Sequence, residues 1–262
     1  MTRIGKITLF ILIFSTLINI AFAQNSADTI LIKKQKNTER INYKDYTFSY
    51  KKLIVPAIFI SYGVASMEIK GLKQLNFSTR NEIIEDKPSR LNWDNYTQYA
   101  PALMVYGLNA AGIKGKHCFK DRTIIYATSQ LISTTIVTTL KNLVKEERPD
   151  QTNNLSFPSG HTATAFSSAQ FMFREYKDTN FGLSISGYSF ALFTGIYRTI
   201  NNKHWVGDVV AGAGFGILST ESAYWLYPGI NRMLSGKRKN STTIVMPFYQ
   251  NKGIGIGLVS YF

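Results

Sequence analysis

The chain has 262 residues, 45% of them hydrophobic and 18% charged, which suffices for one medium domain with a full core or two small ones, and excludes a low-complexity or fibrous chain. Its single cysteine, Cys118, excludes an intramolecular disulfide and a cysteine-based metal cluster, and three histidines argue against a polyhistidine metal centre. Lys and Arg number 30 against 16 Asp and Glu, a formal charge of +14 that points to anionic partners: nucleic acid, a membrane surface or phosphorylated substrates.

Residues 1–23 carry a basic start (Arg3, Lys6), an apolar stretch from Ile7 to Ile20 and the A-x-A sequence Ala21-Phe22-Ala23. This pattern predicts a secretory signal peptide, and so export to a periplasm-facing position in the cell envelope. Export argues against nucleic acid as the partner. Residues 24–52 are polar and basic without a period, which predicts a solvated linker. Leu53–Met67 is an apolar run of helical length, and Leu72–Asp86 is a weakly amphipathic helix ended by Pro88. Ala100–Ile113 and Arg122–Val144 predict two more helices, followed by a polar loop, Lys145–Phe157.

Ser159–Tyr176 is a fifth predicted helix, with Ser159 as N-cap, and Phe181–Ile200 a sixth. Asn201-Asn202 interrupt the chain before a seventh, Trp205–Tyr227, which Pro228-Gly229 are expected to stop. The tail alternates as two short strands around Gln250-Asn251-Lys252-Gly253, a hairpin signal. The expected architecture is all-α: a helical bundle of about six core helices over 53–230, with a C-terminal hairpin or tail over 231–262.

The apolar runs of 14–18 residues are broken by Ser, Thr, Asn and Gly, whereas a span needs about 20. If export placed residue 24 outside and the segments starting at 53, 100 and 122 all crossed, Lys141 would lie in the cytoplasm. The readings are a bundle touching or partly inserted in a membrane, then a fully soluble periplasmic bundle, then a true multi-span protein. Cys118 reads as a small buried residue, His117 as structural or solvent-facing, and the small residues of Gly212–Gly216 as a close-packing helix face.

Three segments carry chemistry. Lys141 to Pro149 has the spacing K-x6-R-P, Pro158 to His161 reads P-S-G-H, and Arg198 to Asp208 has the spacing R-x5-H-x3-D. His204 and Asp208, four apart at the start of a predicted helix, are expected to share a face, with the carboxylate fixing the imidazole tautomer and leaving Nε2 as a nucleophile. At Ser159-Gly160-His161, Gly160 removes bulk beside the N–H groups of a first helical turn, where an anion is favoured, and Ser159 can add a hydroxyl donor. His161 lies beside that cradle, where it can protonate a leaving alkoxide. Lys141, Arg148 and Arg198 supply three cations to match three phosphoryl oxygens. Each segment alone has a commonplace explanation; their conjunction, with two of only three histidines inside them, does not.

The ordered pattern over Lys141–Asp208 resembles the signature of the type 2 phosphatidic acid phosphatase and vanadate haloperoxidase superfamily, whose all-α bundle fits the predicted helices. The resemblance implies that Lys141, Arg148, Ser159, Gly160 and Arg198 bind phosphate, that His161 is the general acid, that His204 is the nucleophile forming a phosphohistidine, and that Asp208 orients it. It implies no metal and no cofactor. Tyr197 stands where the family often has Ser before the third-motif arginine, which puts one small phosphate contact in doubt. The chain is also similar to exported family members of Bacteroidetes-type bacteria, lipid A phosphatases among them.

The function this implies is metal-independent hydrolysis of a phosphate monoester or pyrophosphate on an envelope lipid: lipid A, a prenyl pyrophosphate or phosphatidate. The alternatives are a soluble periplasmic acid phosphatase of broad specificity acting on small phosphoesters, a vanadate-dependent haloperoxidase, and a bundle that retains the site without catalysis.

Overall fold

A computed structural model describes residues 46–86, 88 and 92–235, with the backbone of 242–250 and 253–261. The expected signal peptide lies outside the described residues, as does most of the expected linker. Among the described residues, eight helices follow a short 3-10 turn: α1 (Ile54–Ser66), α2 (Lys70–Asp86), α3 (Asp94–Thr97), α4 (Ala100–Ala110), α5 (Phe119–Val144), α6 (Gly160–Tyr176), α7 (Phe181–Ile200) and α8 (Val206–Ser235). The all-α expectation holds. Two compact units divide the chain, one up to Tyr227 and one from Pro228. In the second, β1 (Thr242–Gln250) and β2 (Gly253–Tyr261) pair antiparallel, with Gln250 opposite Gly253.

α6 is the axis of the first unit and packs against α4, α5 and α7. Its side chains are buried nearly all round, from Thr162 to Tyr176, which is why it carries Ala, Ser and Phe instead of a polar stripe. Polar positions inside the bundle satisfy one another: Ser167 Oγ lies 3.2 Å from Ser129 Oγ and 2.9 Å from Thr220 Oγ1, joining α5, α6 and α8.

The close packing expected of Gly212–Gly216 is present. A Cβ on Gly212 would meet the Ser159 carbonyl oxygen at 2.5 Å, and one on Gly216 would meet that of Ala163 at 2.3 Å. α8 therefore lies directly on the α6 backbone. Gly216→Ala must push the two helices apart, and we expect a cost of about 1–3 kcal/mol, seen as a lower melting temperature in detergent. An unchanged melting temperature would contradict this contact.

Three readings from the sequence are corrected. α8 does not stop at Pro228-Gly229 but continues to Ser235 with Pro228 inside it; a proline's fixed φ is helical, so it removes one hydrogen bond without having to end the helix. Cys118 is exposed, because it precedes α5 at its N-cap in extended backbone. The expected linker is not solvated where it is described: Tyr46 is buried against Tyr227 and His117, and the Phe48 ring meets Trp225 edge-on. The one-turn helix α3 carries no periodic signal in the sequence and was absent from the predicted elements.

His117 is structural and buried. Glu175, 0% exposed in its side chain, binds its ring through Nδ1 and accepts from its backbone N–H at 3.2 Å. The same carboxylate accepts from Arg122 Nε at 3.3 Å and from the Tyr224 hydroxyl at 3.3 Å, and the Tyr46 hydroxyl is hydrogen-bonded to His117 Nε2 at 2.6 Å. This cluster closes the end of the bundle where α6 finishes.

Candidate active site

The site forms at the other end of α6, where the three motif segments meet. α5 ends on Lys145, whose left-handed backbone (φ 52°) turns the chain into the polar loop. Lys141, in the last turn of α5, donates to the carbonyls of Leu155 (2.5 Å) and Ser156 (3.2 Å), so the loop folds back over the helix end. The Ser156 N–H donates to the Glu146 carbonyl at 2.9 Å and the Arg148 N–H to that of Asn153 at 3.0 Å. α7 ends at Ile200, and Asn202 takes the left-handed conformation (φ 57°) with the Lys203 N–H returning to the Arg198 carbonyl at 3.1 Å. Asn tolerates that backbone, and the turn delivers His204 two residues later. One backbone bond then joins the second and third motifs: the Ser159 N–H donates to the Asp208 carbonyl at 3.0 Å.

His204 and Asp208 come together differently from the expectation. They do not share a helix face, because α8 starts at Val206 and His204 sits in the preceding turn. Nδ1 of His204 stands 3.6 Å from Asp208 Oδ2, near enough for charge attraction but too long for a hydrogen bond, and it has no hydrogen-bond partner. Asp208 Oδ2 instead accepts from the Ser156 hydroxyl at 2.5 Å and from the Trp205 N–H at 2.9 Å. The second bond caps the start of α8, as a carboxylate in the first turn does. Burial pushes His204 down to about 3, with Asp208 opposing and Lys141 and Arg198 adding to the fall.

His161, in the first turn of α6, donates from Nε2 to Asn95 Oδ1 at 2.8 Å. Burial and then Arg198 push its ring down to about 4; Asp94 opposes, while Lys141 and Arg148 contribute to the fall. Ser159 caps α6 by position only: its hydroxyl is fully buried and pairs with Thr162 Oγ1 at 2.9 Å, not with a first-turn N–H. The expected extra donor thus has Thr162 as its hydrogen-bond partner. A Cβ on Gly160 would meet only Val137 Cγ1, at an ordinary 3.5 Å, so packing does not demand glycine there.

The three cations converge on the histidines. Burial pushes Lys141 down to about 8, with Asp208 opposing and Arg148 and Arg198 adding to the fall. Burial and Arg198 lower Arg148 as well. Arg198 is buried and donates from Nη1 to Asp94 Oδ2 at 2.6 Å, while Asn201 Nδ2 donates to the other Asp94 oxygen at 3.1 Å. Arg148 Nε and Arg198 Nε are buried donors without a hydrogen-bond partner. Two such guanidinium donors beside a lysine are suited to the oxygens of an anion such as phosphate.

Residues 122–232 match the family model described as the PAP2 superfamily. That matched segment is under half of the chain. The PAP2 segment runs from α5 into α8 and holds all eight motif residues, in agreement with the resemblance read from their order. Over 134 residues the chain is 37% identical to the lipid A 1-phosphatase of Porphyromonas gingivalis, an alignment covering 51% of this chain and 30% of that protein. The chain thus spans under a third of that relative's length. Two crystal structures are similar at lower identity. Aquifex aeolicus LpxE has a TM-score of 0.44 and 20% identity, covering 57% of this chain and 94% of that one. A PAP2-type phosphatidylglycerolphosphate phosphatase from Bacillus subtilis has a TM-score of 0.42 and 19% identity, covering 73% and 100%.

Four residues at the PAP2 site were missed in the sequence. Ser156 lies in a loop with no periodic spacing, and Asn201 had served only as a helix breaker. Asp94 and Asn95 come from α3, outside the matched segment, and no sequence signal connects them to the motifs.

Proposed function

We propose that this chain is an envelope phosphatase that removes a phosphate group from a phosphorylated lipid through a phosphohistidine intermediate. The observation that carries it is the meeting of His204, Asp208 and His161 with Lys141, Arg148 and Arg198 at one end of the bundle, with two buried arginine Nε donors unpartnered. In the first step His204 Nε2 attacks phosphorus in line, the ester P–O bond breaks, and His161 gives a proton to the leaving oxygen. In the second, water attacks the phosphohistidine while His161 takes a proton from it, freeing phosphate and regenerating both rings. Asp208 stabilises the His204 imidazolium that forms. Lys141, Arg148 and the Gly160 N–H hold the phosphoryl oxygens together with Arg198. This chemistry asks for no metal or cofactor.

A lipid substrate is supported by the surface. No described helix is long and apolar enough to cross a membrane alone, but the pair Tyr50–Ser66 and Lys70–Asp86, bent by 83°, passes together. Large apolar side chains stand in solvent on several helices, among them Val55 and Ile58 on α1, Leu103 on α4, and Ile185, Leu192 and Ile196 on α7. A soluble monomer rarely leaves so many uncovered. The protein seats this surface in a membrane and takes its substrate there. The 37% identity to a lipid A 1-phosphatase makes lipid A the first substrate to test.

The test is phosphate release by the full-length protein in detergent and EDTA from lipid A, undecaprenyl pyrophosphate, phosphatidic acid and p-nitrophenyl phosphate, with His204→Ala as blank. Preference for one lipid, lost in the variant, is the expected result. Preference for the small ester would move the reading to a broad-specificity acid phosphatase, and loss of activity in EDTA restored by a divalent ion would overturn the metal-free mechanism.

The depressed histidines set a pH dependence. The nucleophile must be neutral and the acid protonated, so kcat/KM rises as His204 loses its proton near pH 3 and falls as His161 loses its proton near pH 4. A bound phosphate offsets the three cations that hold His161 down, so its pKa rises in the complex. The falling limb of kcat is therefore expected at a higher pH than that of kcat/KM. Coincident limbs would separate His161 from the cation cluster. Because both rings fold neutral below their ordinary 6.5, the unfolded chain binds more protons, and stability falls as pH drops below about 6.5.

A further inference from the structure

We propose that Asn95 is a positioning residue for the acid–base histidine, binding His161 at Nε2 so that the proton is exchanged at Nδ1. The inference rests on the phosphatase reading above, and its evidence is local. Asn95 and His161 are 66 positions apart and joined by a 2.8 Å bond between Asn95 Oδ1 and His161 Nε2. An amide oxygen cannot donate, so the ring must present its proton at Nε2. With Nε2–H committed, Nδ1 is the nitrogen that gives its proton to the leaving oxygen and later takes one from water. The ring keeps Nε2–H throughout, and the protons balance over the two steps.

The seat of Asn95 is built with more care than a surface loop requires. α3 is a single turn, tied by the buried Asp94 to Arg198 and Asn201 and by Thr97 Oγ1 to Thr194 Oγ1 of α7 at 2.8 Å. Gln98 Nε2 donates to the Asn95 carbonyl at 2.9 Å, which holds the backbone that carries the amide. Neighbouring residues thus grip the phosphate-site arginine and the acid histidine. The charged groups facing His161 are Arg198 from α7, Lys141 from α5, Arg148 from the loop and Asp94 from α3; Asn95 is the neutral contact among them. A neutral acceptor fixes the ring without the strong bias toward imidazolium that a carboxylate would impose.

A general acid matters most where the leaving group is poor. p-Nitrophenolate departs without a proton, whereas the alkoxide of phosphatidic acid needs one. We expect Asn95→Ala to lower kcat on phosphatidic acid by about tenfold or more, with a markedly smaller loss on p-nitrophenyl phosphate, because a well-placed acid is worth about 10²–10⁴-fold. Asn95→Asp keeps the acceptor and adds a charge. It should recover much of the phosphatidic acid activity and move the falling limb of kcat/KM up by about one pH unit, since a carboxylate at Nε2 keeps His161 protonated longer. Equal losses on both esters, or an unmoved limb in Asn95→Asp, would overturn the proposal even with an active wild type. Wild-type protein that releases phosphate from neither ester, nor from lipid A or undecaprenyl pyrophosphate, would instead overturn the phosphatase reading, and this proposal with it.

Discussion

His204→Ala should abolish turnover on every substrate, with kcat falling by at least about 10³-fold, because the variant has no atom on which to form the covalent intermediate. The geometry makes this loss more informative than a simple knock-out. His204 is only 2% exposed, so a merely structural histidine at this position would show itself as lost stability, with the remaining folded molecules active. The expected pattern is the reverse: a folded protein in detergent, melting near wild type, that releases no phosphate. Acid-resistant and alkaline-resistant phosphoprotein can be told apart, and a phosphohistidine, like other P–N phosphoramidates and unlike a phosphoserine, survives alkali and is lost in acid. Trapping with ³²P-labelled substrate should label wild type, leave His204→Ala unlabelled, and label His161→Ala if its first step survives with an activated leaving group. Label that persists in His204→Ala would move the nucleophile elsewhere.

Glu175→Gln is expected to cause the largest loss of stability, about 3–5 kcal/mol, with little effect on the chemistry of the molecules that remain folded. The side chain of Glu175 has no exposed surface, and its charge is opposed by Arg122, itself only 4% exposed in its side chain. An amide leaves that guanidinium buried without a counter-charge, and breaking a buried pair from one side costs far more than the pair contributes. It also weakens the bonds to the His117 ring and backbone and to Tyr224. The melting temperature should fall by roughly 10 °C for a domain of this size. His161 and Glu175 stand at opposite ends of α6, about 21 Å apart along its axis at 1.5 Å per residue. Phosphate release at low temperature should therefore stay within a few-fold of wild type. A large fall in kcat without a fall in melting temperature would mean that the far end of α6 is coupled to the site.

The helices were legible because their signals are local. Pro158 and Ser159 announce the start of α6, the left-handed Asn202 follows the expected break at Asn201-Asn202, and Gly212–Gly216 marks the face of α8 that touches α6. Local signals failed where the outcome depends on what lies opposite. Pro228 reads as a stop but stands inside α8, and Ser159 reads as a hydroxyl donor to an anion but turns that hydroxyl to Thr162. Residues of the PAP2 site on α5, α6 and α7 were recognisable as an ordered set because their spacing repeats a known pattern. Asn95 and Asp94 were not, because a single turn of helix has no period to detect.

By itself the sequence determined the all-α bundle, the family signature that the motif segment resembles and the eight residues that make up the motifs, since hydrophobic spacing and an ordered set of charged residues are properties of the chain alone. Tertiary structure alone decided how those residues are held. It set His204 in the turn before α8, 3.6 Å from Asp208 Oδ2, and gave that oxygen to Ser156 and Trp205. It brought Asn95 to His161 across 66 positions and Asp94 to Arg198 across 104. The reason is physical: a hydrogen bond requires two groups within about 3 Å at a workable angle, and for groups so far apart in the chain that distance is fixed by the packing of helices, not by anything written near either residue.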